Sequence, residues 1–227
     1  MPDQPGLTDD SASYRFKQHE LPILPGSPAN PDHPARRKLA YLVIGLFLGL
    51  VGGAQNGFLL ANTAALQGEM ALTPVQAGWI SVAFYSTYAC MSMLLFRVRQ
   101  EFGIQPFVKY AMIGLVAANF IQVLELGYYP EIAARAMAGI AAGGLSALSI
   151  YYLMQGLPAS ARIGALILGI GLVQTAFPLA RAISPYLLVD GNISRAFQLQ
   201  FGLSIISLGA VYLLRLPIGF RKKTFEK

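Results

Sequence analysis

Three charged residues, Arg135, Arg181 and Glu125, lie within or beside long apolar stretches of the sequence. A charged side chain inside a lipid bilayer is costly, so each one is a candidate for ion pairing, ligand binding or contact with water. Arg135 has two interpretations: it lines a cavity, or it pairs with Glu125 or Glu131 across a short hairpin. Two arginines near a single carboxylate predict an electropositive cavity that favours anionic or zwitterionic ligands.

Arg181 lies between Pro178 and Pro185, about seven residues from the end of its apolar stretch, or roughly 10 Å at 1.5 Å per residue. Proline kinks a helix and frees carbonyl groups. The sequence therefore predicts a ligand site around a buried Arg181 guanidinium.

Uncharged polar residues extend this candidate site. Gln55 and Asn62 are seven residues apart, as are Asn56 and Thr63, so each pair shares one face of a helix. With Arg135 and Arg181, the predicted substrate-binding residues are Gln55, Asn56, Asn62, Tyr85 and Gln174. Further polar residues of the apolar stretches are Ser81, Tyr88, Ser92, Asn119 and Gln122. Hydrogen bonding between helices, at about 0.6 kcal/mol per bond, is the alternative explanation for these side chains.

Nucleophilic catalysis has one candidate motif, Gly144-Leu145-Ser146-Ala147, which matches the GxSx pattern of intramembrane serine proteases. Such a serine needs a histidine within hydrogen-bond reach. Both histidines, His19 and His33, precede the apolar stretches, and the only cysteine, Cys90, excludes a cysteine metal cluster. We therefore expect a protein that is not an enzyme, holds no metal and needs no cofactor.

Six apolar stretches must position these residues. Hydrophobic residues make up 55% of the 227 residues and charged residues 12%, against about 25% charged residues in soluble domains. A helix needs about 20 predominantly apolar residues to cross a bilayer, and the stretches that meet or approach this length are 39–66, 75–96, 107–126, 132–153, 163–188 and 197–216. The predicted fold is an all-α membrane protein with six transmembrane helices.

The 17 Lys and Arg residues predict the orientation of this membrane domain. Arg135 and Arg181 lie within spans, Arg195 lies on one side, and all the others lie on the side of the two termini. Because cytoplasmic loops are rich in Lys and Arg, we predict a multi-pass protein of the inner (plasma) membrane with both termini in the cytoplasm. The net charge of +6 has the same origin, so nucleic acid is not an expected partner.

Three segments follow from this interpretation. Residues 1–38 are predicted to be a disordered cytoplasmic tail, with a proline at every third position from 22 to 34, residues 39–220 the membrane domain, and residues 221–227 a basic cytoplasmic end. Small residues mark close contacts between membrane helices. The glycines predicted to pack helices together are Gly45, Gly49, Gly53, Gly57, Gly139 and Gly143.

Several motifs, taken in order, resemble the major facilitator superfamily of transporters, in its drug:proton antiporter branch with 14 helices. Arg135 and Gly139 match the RxxxG signature of the fourth helix, whose arginine faces the central cavity in that family. Residues 72–79, 157–165 and 216–220 resemble the start of helix two, the loop after helix four and the end of helix six. The resemblance implies a half-transporter of 3+3 inverted repeats and export of small amphipathic compounds by an ion-coupled carrier.

The departures from this family are informative. Gly57 stands where the branch usually has an aspartate, and Gln100 and Glu101 lie in and beside the acidic position of the loop between helices two and three. Proton antiport through those acidic positions is therefore not expected. The resemblance covers residues 39–220, the first half of the family fold, so we expect a second six-helix half or a homodimer. The alternative is a half-size or truncated subunit that assembles with a partner and does not transport alone.

Overall fold

The computed structural model describes residue 20, residues 28–188 and residues 192–217, without the side chains of residues 100, 159 and 162. Its α-helices are α1 (Ala35–Ala61), α2 (Thr63–Glu69), α3 (Pro74–Phe102), α4 (Ile104–Val123), α5 (Tyr128–Gly156), α6 (Arg162–Leu187) and α7 (Ser194–Leu213). Six of them, all but α2, are long and apolar enough to cross a membrane. The prediction of an all-α, multi-pass membrane protein is confirmed. The predictions for residues 1–19, 21–27 and 218–227 lie outside the described residues.

The first span is shorter at its far end than the sequence indicated. α1 begins at Ala35 and ends at Ala61, whereas the predicted span was 39–66. Asn62 interrupts the helix because its amide nitrogen donates to Phe58 O (2.7 Å) and to Ser184 Oγ of α6 (2.8 Å). Residues 63–69 therefore form a separate short helix.

The six spans are arranged around a central pair. α1 and α5 pack along each other, α6 packs on α1, and α3 packs on α5. α4 and α7 pack together and cover α5 and α1 respectively. The flanking helices α3 and α6 are the least buried, each with 22% of its most apolar window inside the protein. Most of their surface is therefore left for lipid, water or another protein.

Glycines bring α1 against α6 without side chains between them. A Cβ on Gly53 would overlap the carbonyl oxygen of Val173, and one on Gly57 would lie 3.1 Å from Ala180 Cβ. The same device joins α1 to α5, where a Cβ on Gly45 would lie 2.9 Å from the backbone nitrogen of Leu153. Close backbone approach of this kind is how helices associate in lipid.

The contact between α5 and α3 has the same construction. A Cβ on Gly139 would overlap the carbonyl oxygen of Phe84, and one on Gly143 would lie 3.3 Å from Met91 Cβ. The two glycines are again four residues apart. Phe84 and Met91 are seven residues apart, as are Val173 and Ala180 on α6. The contacts of the α1/α6 pair therefore have the same residue spacing as the contacts of the α5/α3 pair.

The segment before α1 is fastened to the end of α5. Asn30 Nδ2 donates to Met154 O (3.0 Å), and Gln155 Nε2 donates to Ala29 O (2.8 Å). Because the Gln155 nitrogen faces that carbonyl, its Oε1 faces His33 Nε2 at 2.9 Å, so the imidazole donates this bond. The His33 ring also packs on Tyr41, with 4.9 Å between ring centroids. We call residues 29–33 with Tyr41 and Gln155 the clasp.

The clasp is expected to weaken in acid. Burial lowers the pKa of His33 below its ordinary value of 6.5, Arg37 and Lys38 act in the same direction, and Gln155 and Asp32 oppose them. The folded chain therefore binds fewer protons at His33 than the unfolded chain, and this contribution to stability is lost as the pH falls below 6.5. Thermal unfolding should show that the wild type loses less than about 1 kcal/mol of unfolding free energy at His33 between pH 7.5 and 5. The effect is small because the ring is half exposed and solvent screens its charge. His33→Gln should remove this part of the pH dependence, and an unchanged pH profile in His33→Gln would contradict the assignment.

Candidate functional site

The seven residues predicted to bind a substrate separate into a buried group and an exposed group. Gln55 and Arg135 are 0% exposed, Asn56 is 7% exposed and Asn62 is 8% exposed. Tyr85, on α3, is 49% exposed. Gln174 and Arg181, both on α6, are also exposed. The seven side chains therefore do not form one continuous site.

Arg135 lies at the junction of α1, α5 and α7 rather than on an open surface. Its Nε donates to Glu131 Oε1 at 3.0 Å, and its Nη1 donates to the carbonyl oxygen of Gln55 at 2.7 Å. Its guanidinium carbon lies 6.0 Å from the centroid of the Phe197 ring. Of the two interpretations, structural pairing is the one observed in this six-helix unit, and the partner is Glu131.

Two further carboxylates near the spans bond the segment that begins α7. Glu125 accepts a hydrogen bond from the Ser194 hydroxyl, and Glu69 Oε2 accepts one from the backbone nitrogen of Ile193 at 2.9 Å. Both bonds fasten loops to the start of α7. Neither carboxylate contacts Arg135.

Arg181 corrects the prediction of a buried guanidinium. Its side chain is exposed on α6, and no hydrogen bond or ion pair joins it to another described residue. α6 continues through Pro178 and Pro185 as a single helix from Arg162 to Leu187. The buried face of α6 is instead occupied by small residues such as Ala176 and Ala180, which allow α1 to approach. Glu131 neutralises Arg135, whereas Arg181 faces outward, as do Arg97 and Lys109 in two other described spans.

The exposed polar residues occupy equivalent positions on α3 and α6. Tyr85 is one residue after Phe84, whose carbonyl faces Gly139, and Gln174 is one residue after Val173, whose carbonyl faces Gly53. Eight residues after the same two carbonyls come Ser92 and Arg181, both exposed. At 100° per residue, positions one and eight lie about 80–100° from the buried side of each helix. We call Tyr85 with Ser92, and Gln174 with Arg181, the polar stripes of α3 and α6.

Sequence reasoning missed part of the buried polar group. Asn119 and Gln122 were identified only as possible lining, and Gln200 of α7 was not identified, although all three are at most 1% exposed. The spacing of Asn119 and Gln122 on one helical face was the available signal. From the sequence, Arg99 was placed in a loop among the cytoplasmic charges. It is instead 7% exposed, and its guanidinium carbon lies 5.0 Å from the centroid of the Tyr151 ring.

The described residues contain no group of three or more His, Cys, Asp or Glu side chains placed to hold a metal ion. No protein-family model matches the chain, and no curated protein is significantly similar to it. The side chains that the polar stripes present are one cation, one amide and two hydroxyls, beside a large apolar surface.

Proposed function

We propose that this chain moves small molecules across the inner (plasma) membrane as the amino-terminal half of a secondary transporter of the major facilitator type, working in the direction of export. The observation that carries the proposal is the pair of polar stripes. They place Tyr85 and Ser92 on α3, and Gln174 and Arg181 on α6, at matching positions of outward faces. The motifs from 72 to 220 that resemble the family are the second support.

The relation between the two halves of the unit fits inverted repeats. In the register set by the glycines, α1 with α6 corresponds to α5 with α3, and α4 corresponds to α7, each of which has 20 residues. The α1/α6 pair runs in the direction opposite to the α5/α3 pair. Secondary transporters are commonly built from inverted repeats, and their substrates bind near the midplane where the repeats meet. The polar stripes are the matching positions of such a pair of repeats.

Energetics favour water or protein, rather than lipid, beside the stripes. Arginine at the centre of a membrane helix costs about 2.5–3.5 kcal/mol on insertion scales. Gln174 is near the middle of the span Ile163–Leu187, and Arg181 is six residues before its end. An aqueous cavity between this unit and a second one would solvate both side chains, which lipid cannot do. The second unit is another six-helix half or a second copy of this chain.

Anionic or amphipathic substrates suit this cavity. Arg181 is the cation of the polar stripes and has no ion pair among the described residues, and the carboxylate that lies within a described span, Glu131, is engaged by Arg135. An anionic group can bind the guanidinium, while the exposed apolar faces of α3 and α6 can contact a hydrophobic body. Tyr85 offers both a ring and a hydroxyl.

One observation favours the alternative, a subunit that does not transport alone. Gly57 stands where the resembling branch has a helix-one aspartate, and a Cβ there would already lie 3.1 Å from Ala180 Cβ and 3.3 Å from Ala176 O. Any side chain at that position would require α6 to give way by a few tenths of an ångström. This chain has glycine instead of that proton carrier, so in the alternative a partner supplies the coupling.

Transport can be tested with fluorescein as an anionic dye and rhodamine 6G as a cationic one. Cells that express the chain should accumulate less fluorescein than control cells, and Arg181→Gln should raise the half-saturating dye concentration about tenfold, which corresponds to 1.4 kcal/mol. Arg181→Lys keeps the charge and serves as the matched control, with a smaller change. Unchanged fluorescein export in Arg181→Gln would overturn the role of Arg181. If the wild-type chain alone exports neither dye, the non-transporting subunit is favoured.

A further inference from the structure

Six polar side chains meet inside the protein where α1, α4, α5 and α7 come together. Each is at most 4% exposed. We call this group the polar junction, and its members are Gln55, Asn119, Gln122, Glu131, Arg135 and Gln200. The polar junction is distinct from the polar stripes, which face outward on α3 and α6. Nothing in the proposed transport function requires it.

Direct contacts connect the members of the polar junction in two sets, and Asn119 of the second set lies one helical turn from Gln122 of the first. Arg135 bonds Glu131 Oε1 and the Gln55 carbonyl, as described above. Gln122 Nε2 donates to the same Glu131 Oε1 at 2.7 Å. Asn119 Nδ2 donates to the carbonyl oxygen of Gln200 at 3.3 Å. Because a carboxylate and a carbonyl only accept, these bonds also fix which side of the Gln122 and Asn119 amides is nitrogen.

Several buried polar atoms of this group have no hydrogen-bond partner among the described residues. They are Gln55 Nε2, Gln55 Oε1, Asn119 Oδ1, Gln122 Oε1, Arg135 Nη2 and Gln200 Oε1. Leaving a buried polar group unsatisfied costs about 1–3 kcal/mol, and hydrocarbon around the protein offers no substitute partner. A set of this size in one place indicates a bound polar ligand rather than unrelated defects.

The mixture of atoms selects the class of ligand. A cation would be repelled by Arg135 and would leave Gln55 Nε2 and Arg135 Nη2 without an acceptor. An anion would lie beside Glu131 and would leave the amide oxygens of Asn119, Gln122 and Gln200 without a donor. Water donates and accepts, carries no charge, and typically makes about three hydrogen bonds when it is buried in a protein.

We propose that the polar junction is a binding site for ordered water, which joins Gln55 of α1 and Gln200 of α7 to the Glu131–Arg135 pair of α5. Bridging water would satisfy Arg135 Nη2 and the free amide atoms together. The ion pair then lies in a hydrated pocket inside the unit, closed off from the outward faces. The four helices are held at this level by water as well as by direct contacts.

Hydroxyl radicals generated by X-rays in purified wild-type protein provide the test, since radicals formed at bound water oxidise the side chains beside it. Phe197 borders the junction through Arg135 and is 3% exposed, and Phe107 is 8% exposed but packs in the apolar contact of α4 with Gly144 of α5. Although Phe107 is slightly more exposed, Phe197 should be oxidised several-fold faster than Phe107. Equal rates, or a slower rate at Phe197, would overturn the proposal.

Gln55→Leu adds a second readout. If water bridges the Gln55 amide, this variant should lower both the oxidation rate of Phe197 and the melting temperature. If the junction is dry, removal of two unsatisfied atoms should raise the melting temperature and leave Phe197 oxidation unchanged, which contradicts a water site. Should the variant fail to fold, the comparison of Phe197 with Phe107 in the wild type still decides.

Discussion

Replacing Arg135 with methionine is expected to lower the free energy of unfolding by about 3–5 kcal/mol, the cost of removing one partner from a buried ion pair. The substitution leaves Glu131, 4% exposed, with a charge that only Gln122 still contacts. It also removes the bond from Arg135 Nη1 to the carbonyl of Gln55, which fastens α5 to α1. Thermal or denaturant unfolding of the chain in lipid nanodiscs measures the loss.

Arg181→Met is the matched control for this prediction. It also removes an arginine from a membrane span, but its side chain is exposed and has no ion pair among the described residues. Its stability should stay within about 0.5 kcal/mol of the wild type, as for surface substitutions in general. Arg135→Met combined with Glu131→Leu should recover much of the loss, because no buried charge then remains at this position of α5. Equal stability of Arg135→Met and Arg181→Met would mean that the buried pair does not hold the helices together.

The second large effect is expected at the glycine contacts. Gly53→Ala should destabilise the protein by about 1–3 kcal/mol, the usual cost of overpacking, because its Cβ would overlap the carbonyl oxygen of Val173. Gly139→Ala should behave in the same way against Phe84. Backbone on the facing helix cannot move aside as a flexible side chain can.

Gly171→Ala, in α6, is the control for the glycine prediction, because no other group lies within 4 Å of the position that its Cβ would take. Alanine favours a helix over glycine by roughly 0.5–1 kcal/mol, so this variant should be neutral or slightly more stable. Unfolding midpoints of the three variants give the comparison. Similar midpoints for Gly53→Ala and Gly171→Ala would show that the α1/α6 contact is looser than described.

The spans could be predicted from the sequence because a bilayer demands long apolar helices, and every predicted span overlaps one of the six observed. The break at Asn62 could not, since it depends on Ser184, 122 residues away in sequence. Likewise, apolar length does not show which face of a helix is buried. Arg135 and Arg181 look alike in sequence, yet one meets Glu131 and Gln55 while the other faces outward.

The candidate site was harder to predict than the spans. Tyr85 and Gln174 were chosen for their polarity, and their equivalence appears only from the carbonyls that face Gly139 and Gly53. Amides such as Gln55 suit a cavity lining and a buried contact equally well, and the packing of α1 on α5 places this one inside. The RxxxG signature identified Arg135, which forms a buried ion pair, but it did not identify Glu131 as the partner.

The claim that the polar stripes face water is tested most directly by cysteine labelling in native membranes. With Cys90, which is exposed, replaced by serine, single variants Tyr85→Cys and Gln174→Cys are treated with a membrane-impermeant charged maleimide. The controls are Met93→Cys and Leu179→Cys, at positions 83% and 44% exposed that point to other sides of α3 and α6. We predict rapid labelling of both stripe positions and little labelling of the controls. Failure of both stripe cysteines to react, while the folded protein remains in the membrane, would show that these faces are covered by lipid or protein and would contradict the account.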